Sequence, residues 1–207
     1  MQVSPAIEQA KPAQFQLSAE EQSRASMYGL LGALLAKPPT IRLLENIGGL
    51  SGDGEEIGEA IDTIVLLAKK ITQKAIEREY SQLFIGVGRG ELLPYGSYYM
   101  TGFLNEKPLA NLRKDMRELG IGRADGMSDP EDHVAALCDM MSGLISGKFV
   151  EPANLREQND FFRVHIGPWV GHFFRDLEAA SSSVFYAPVG KLGRVFMEIE
   201  SEAFKLI

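Results

Sequence analysis

Asp129, Glu131, Asp132 and His133 are the side chains best placed by type and spacing to act together, in the run Ser128-Asp129-Pro130-Glu131-Asp132-His133. Carboxylates beside an imidazole can transfer protons, bind a cation or accept hydrogen bonds from a ligand. The sequence predicts a helix opening here. Asp129 suits the N-cap, Pro130 the first helical position, and Glu131 and Asp132 complement the positive end of the helix dipole. Behind them Val134, Leu137, Cys138, Met141, Leu144 and Ile145 recur at helical spacing, and Gly147 closes the run. The two acids and His133 are then expected at the mouth of the helix, open to solvent or a ligand. Asp-Pro-Glu also opens many ordinary helices, but capping supplies no reason for a histidine, because a cation is unfavourable at a helix N-terminus. On this reading Asp129→Ala weakens the fold, whereas Asp132→Asn and His133→Ala spare it.

Other chemistries fail on spacing. Gly86, Gly88 and Gly90 lack the Gly-Lys-Ser/Thr of a phosphate loop and follow a helical stretch, where that loop follows a strand. His165 and His172 would lie roughly 10 Å apart along one helix, too far to share an ion, and Pro168 intervenes. There is no Glu-x-x-His pair for a di-iron bundle. Cys138 falls about 140° around the helix from His133, a poor geometry for a thiol–imidazole dyad. The surviving enzyme reading is acid–base work by Asp132 and His133 in a small helical hydrolase acting on a nucleotide, for which no nucleophile or oxyanion donor is visible. No metal or cofactor is expected.

The elements that must position these residues are helical. Ser18 and Glu21 form a capping box ahead of the stripe Met27, Tyr28, Leu31, Leu34 and Leu35, which Pro38-Pro39 stops. A short helix follows from Thr40 to Ile47, then a long amphipathic stretch from Glu55 to about Phe84. Between Ile85 and Gly102 the period is lost. Its aromatics Tyr95, Tyr98 and Tyr99 either plug the core or line a groove. Pro108 opens a helix carrying Leu109, Leu112, Met116 and Leu119, with Gly120 past its end. Further helices run from Pro152 to Val164, from Gly167-Pro168 through Trp169, Val170, Phe173, Phe174 and Leu177 to the serines at 181–183, and from about Pro188 to the C-terminus. No strand and no repeat is evident.

At 207 residues, with 45% hydrophobic and 24% charged residues, the chain reads as one soluble all-α domain over 17–207 behind a flexible leader at 1–16. A net charge of -7 argues against a nucleic-acid partner and for cationic ones. One cysteine, on an apolar helix face, fits a buried thiol in a reducing compartment. No run approaches the ~20 apolar residues of a membrane helix, so stable membrane insertion is not expected and the cytoplasm is.

Four motifs in order carry a resemblance: Glu79-Tyr80-Ser81-Gln82-Leu83-Phe84 running into Pro94-Tyr95-Gly96-Ser97; Asp129-Pro130-Glu131-Asp132-His133; His165-Ile166-Gly167-Pro168-Trp169; and Phe185-Tyr186. From Ser18 onward the chain resembles the redox-enzyme maturation chaperones of the TorD/DmsD/NarJ family. The resemblance implies a TorD-like helical fold of about eight to ten helices and a cytoplasmic, non-catalytic chaperone, monomer or dimer. Its client would be a molybdopterin oxidoreductase precursor, bound through its twin-arginine signal peptide before cofactor insertion and Tat export. It places Asp132 and His133 on the family's peptide-binding Asp-His pair, with Glu131 beside them and Tyr80, Leu83, Phe84, Pro94, Tyr95 and Ser97 on the neighbouring surface. Asp129, Tyr95 and Ala136 depart from residues common in that family, which bears on the client's identity. A twin-arginine peptide would suit carboxylates at the rim of an apolar groove.

Overall fold

A computed structural model describes residues 17–123 and 129–207; the expected leader at 1–16 and the connection at 124–128 lie outside the described residues. The described residues form ten α-helices, two π-helical turns and no strand. The helices are α1 (Ala19–Ala36), α2 (Ile41–Ile47), α3 (Glu56–Ala68), α4 (Gln73–Tyr80), α5 (Gly96–Thr101), α6 (Lys107–Glu118), α7 (Val134–Ser146), α8 (Leu155–Phe161), α9 (Val170–Ala179) and α10 (Tyr186–Phe204). The π turns, Ser81–Ile85 and Phe162–Ile166, continue α4 and α8.

The all-helical expectation holds, and several local signals act as read. Ser18 and Glu21 form the capping box of α1, Thr40 caps α2, and Gly147 ends α7 in the left-handed conformation. Other boundaries differ. The stretch from Glu55 is two helices separated by residues 69–72, and the aperiodic run 85–102 contains α5. Most consequentially, α7 starts at Val134, not at Asp129.

The core is built around two helix pairs, α1 on α7 and α9 on α10, with α3 packed on α10. Tyr28, Leu31, Leu34 and Leu35 of α1 bury against Leu137, Cys138, Met141 and Ile145 of α7 within one cluster. Cys138 is enclosed there, and burial pushes its thiol up to about 12, so it stays protonated. The α9–α10 pair closes tightly because Gly190 and Gly193 present bare backbone. A Cβ at either position would stand 2.4 Å from the Glu178 nitrogen or 2.3 Å from the Phe174 ring.

The start of α10 shows how distant side chains override local signals. Glu79, buried on α4, accepts hydrogen bonds from the Val184 and Tyr186 N–H groups through one oxygen, both at 2.8 Å. With those amides satisfied, the helix begins at Tyr186, two residues before Pro188. Glu79→Ala is expected to cost about 2 kcal/mol in a urea melt, since the buried Tyr186 amide loses its acceptor. A loss below ~0.5 kcal/mol would show that the carboxylate is dispensable.

Candidate functional site

Residues 129–133 are a turn held by the segment 94–97, and this pairing displaces the expected Asp129 cap. His133 N–H donates to the Pro130 carbonyl, Val134 N–H to the Pro94 carbonyl, and Gly96 N–H to the Asp132 carbonyl. Tyr95 and His133 thereby form an isolated antiparallel bridge. With its backbone committed to this contact, the chain turns helical only after His133, which becomes the N-cap of α7. Its Nδ1 accepts from Ala135 N–H at 3.1 Å. That requires a neutral ring, and burial supplies it, lowering the His133 pKa to about 4 despite Asp129 and Asp132 nearby. The dipole objection to histidine at this position disappears with the charge.

The three motifs around this turn converge. The Asp132 carboxylate accepts from Ser97 N–H at 2.7 Å, Ser97 Oγ accepts from Glu106 N–H, and both side chains are buried. Gly96 lies against Trp169, where an added Cβ would be 3.1 Å from the indole nitrogen. The Trp169 indole N–H donates to the His165 carbonyl in the π turn, and the His165 ring pairs with Asp115 at 2.8 Å.

Of the residues expected at an open mouth, Glu131, Asp132 and His133 are all buried, at 9%, 3% and 7% exposure. Glu131 is engaged by Arg113 at 2.8 Å and Arg123 at 3.6 Å. Burial disfavours its ionised form, but the Arg113 hydrogen bond prevails and holds its pKa below the usual range. The expected neighbouring surface is also largely interior. Leu83 and Ser97 are wholly buried, Pro94 is buried, and Tyr80 donates its hydroxyl to the Leu35 carbonyl. Phe84 is partly buried and stacks edge-on against Tyr80 and Tyr186. Tyr95 is half-buried and packs edge-on against His133; burial and the nearby Asp129 push its phenol up to about 12.

The turn separates two cavities. On the His133 side a groove of about 580 Å³ runs between α1 and α7, lined by Ala33, Ala36, Ala136, Met116, Met140 and Phe149, with Asp129, Glu131, His133 and Asp139 around it. Lys37, Arg123 and Lys148 line it too, and Lys148 pairs with Asp139 at 3.3 Å. On the Asp132 side a smaller cavity of about 250 Å³ is bounded by α5, α6 and the second π turn. Asp132 and His133 line different cavities, so they share no point where a reacting atom could be held between them. Met116 was legible only as a core position, since a groove floor has the same apolar period as a core, and Met140 lay outside the apolar stripe read for its helix.

Comparison with known proteins identifies the family. The family described as nitrate reductase delta subunit matches residues 51–175, which contain the turn, segment 94–97 and both π turns. "Chaperone protein TorD" of Vibrio parahaemolyticus is 26% identical, with 90% of this chain and 96% of the relative covered. Its counterpart in Vibrio atlanticus is 25% identical over 87% and 94%. In three dimensions the chain is similar to a redox enzyme maturation protein from Archaeoglobus fulgidus, with TM-score 0.56, 21% identity, and 91% and 99% of the two chains covered. The chain therefore belongs to the nitrate reductase delta subunit family, and it is TorD-like in sequence and fold.

Proposed function

We propose that the protein is a maturation chaperone for a redox enzyme and that it holds the client's twin-arginine signal peptide at the 129–133 turn. One observation carries the reading: an apolar groove with methionine and phenylalanine in its walls opens where the Asp-His turn meets the α1–α7 pair. Methionine adapts to varied apolar partners, and small residues on α1 and α7 let an extended or helical segment approach closely. The relatives' printed name, chaperone, agrees with a role in binding. In this reading Glu131 and His133 border the groove and Asp132 reaches the second cavity. Pro94, Tyr95 and Ser97 hold the turn in place from behind, and Tyr80, Leu83 and Phe84 belong to the neighbouring packed core. A molybdopterin oxidoreductase precursor and a cytoplasmic encounter before Tat export follow from the family resemblance.

Calorimetry with a synthetic peptide bearing two adjacent arginines and an apolar tail tests this. The wild-type protein is expected to bind it, and Ala136→Trp, which fills the groove from a half-buried position, to weaken binding about tenfold or more. Equal affinity for the two proteins would exclude the groove.

A further inference from the structure

A groove of about 570 Å³ lies between α4 and the segment 182–185, and it shares no lining residue with either cavity at the 129–133 turn. Lys70, Lys74 and Arg78 line it together with Leu67, Ile71 and Val184. Lys74 and Arg78 stand one turn apart on α4, and Lys70 precedes them in the connection from α3. All three are exposed, and their side chains make no ion pair or hydrogen bond among the described residues. Arg24, Arg113, Lys148 and Arg194, by contrast, each meet an acid. The acid in this groove, Glu79, is buried and already accepts from two backbone amides. Three cations therefore share a groove with one committed carboxylate, on a chain whose net charge is -7. Lys74 and Arg78 repel each other at this spacing, so the pair weakens α4 until an anion lies beside it.

The opposite wall is built before any ligand arrives. Glu91 accepts from Ser181 N–H at 2.6 Å and Ser182 N–H at 3.0 Å, and Glu79 holds the Val184 and Tyr186 amides. These bonds fix the backbone while the Val184 side chain stays 65% exposed, so apolar contact is available there with little ordering cost.

We propose that this groove docks an extended acidic segment of a partner protein, in which acids alternate with apolar residues. The acids face Lys70, Lys74 and Arg78, and the apolar side chains lie against Ile71 and Val184. Side chains on one face of an extended chain recur every ~6.6 Å, close to the ~6 Å between helix positions four apart. A row of cations along an apolar groove favours such a segment over a compact anion, which needs its donors gathered round one point. The concave shape favours it over a flat lipid surface. This docking does not depend on the peptide-binding reading of the 129–133 turn.

Fluorescence anisotropy at low salt, with short labelled peptides alternating Glu with Val or Gln with Val, tests the proposal. The proteins are the wild type, Lys74→Glu/Arg78→Glu, Val184→Asp and a control, Arg156→Glu/Arg163→Glu. The control residues are exposed on α8 and its π turn, line no part of the groove, and change the net charge equally when reversed. The wild type is expected to bind the Glu peptide about tenfold tighter than the Gln peptide, a preference that shrinks with added salt. Lys74→Glu/Arg78→Glu should abolish the preference, and Val184→Asp should weaken Glu-peptide binding about threefold or more. The control should stay within about twofold of the wild type. Melting temperatures equal to the wild type report an intact fold in each variant.

Equal wild-type affinity for the two peptides would overturn the proposal. So would a loss in the control as large as in Lys74→Glu/Arg78→Glu, because the field of the whole protein would then explain the binding. Displacement of the Glu peptide by inorganic phosphate, but not by sodium chloride of equal ionic strength, would assign the cations to a compact anion and overturn the segment. Binding of phosphatidylglycerol vesicles in place of the peptide would mark a membrane contact, with the same result. A wild-type dimer in sedimentation that Lys74→Glu/Arg78→Glu dissociates would make a second copy the occupant and overturn a separate partner.

Discussion

Arg24→Ala is expected to destabilise the protein by about 3–5 kcal/mol, because it strips the partner from a buried carboxylate. Glu200 on α10 is 1% exposed, and Arg24 on α1 meets it with two parallel bonds, Nε to Oε1 at 2.7 Å and Nη2 to Oε2 at 2.8 Å. The guanidinium also donates to Gln158 of α8 at 2.9 Å and lies over the Phe204 ring. Tyr28 adds a bond to Glu200 at 3.0 Å. One side chain thus ties three helices, and removing it leaves Glu200 with the Tyr28 hydroxyl alone. A chain of this size would lose roughly 10 °C in melting temperature for that destabilisation. Arg24→Met combined with Glu200→Leu removes both charges and should recover most of the stability, since a buried ion pair adds little over well-packed apolar residues. Urea melts of the single and double variants check both statements; a single-variant loss below ~1 kcal/mol would show that water reaches Glu200.

How much of this was legible in the sequence depended on how far each determinant lies along the chain. Caps made within four residues, such as Ser18 with Glu21, Thr40 and Gly147, act where the sequence places them. Asp129 had equally good local credentials and lost, because segment 94–97 claims the backbone of the 129–134 stretch. Glu79 and Glu91 look like surface acids. They accept backbone hydrogen bonds from residues 181–186, about a hundred positions away, and no local pattern announces that. The π turns were invisible for a related reason: each changes the hydrogen-bond register without changing the apolar period. Order and spacing of the four motifs carried the family, yet not which motif residues face a cavity. Asp132 and His133 are neighbours in sequence and line opposite sides of one turn.

Those two sides give the turn a dependence on pH that can be read through His133. Its pKa is lowered by burial to about 4 from an ordinary 6.5, so between these values the unfolded chain binds a proton that the folded protein refuses. Stability contributed by the neutral, buried ring is therefore complete above pH 6.5 and is lost as pH falls toward 4, by about 3 kcal/mol. His165, also lowered by burial although Asp115 opposes it, adds to the loss with the same sign. Glu131, held below the usual carboxylate range chiefly by its Arg113 bond against the cost of burial, contributes only in stronger acid. His133→Asn separates the ring's charge from its cap, since the Asn oxygen can replace Nδ1 as the acceptor of Ala135 N–H and Asn is a favoured N-cap. At pH 7 this variant should stay within about 1 kcal/mol of wild type. Between pH 6.5 and 4 its stability curve should be visibly flatter. His133→Ala should be equally flat but lower throughout by a further ~1–2 kcal/mol, because the Ala135 amide loses its acceptor and Tyr95 its ring contact. Denaturant melts of the three proteins across that range decide it: parallel pH profiles for wild type and His133→Asn would mean that His133 takes up its proton in the folded state as readily as in the unfolded chain.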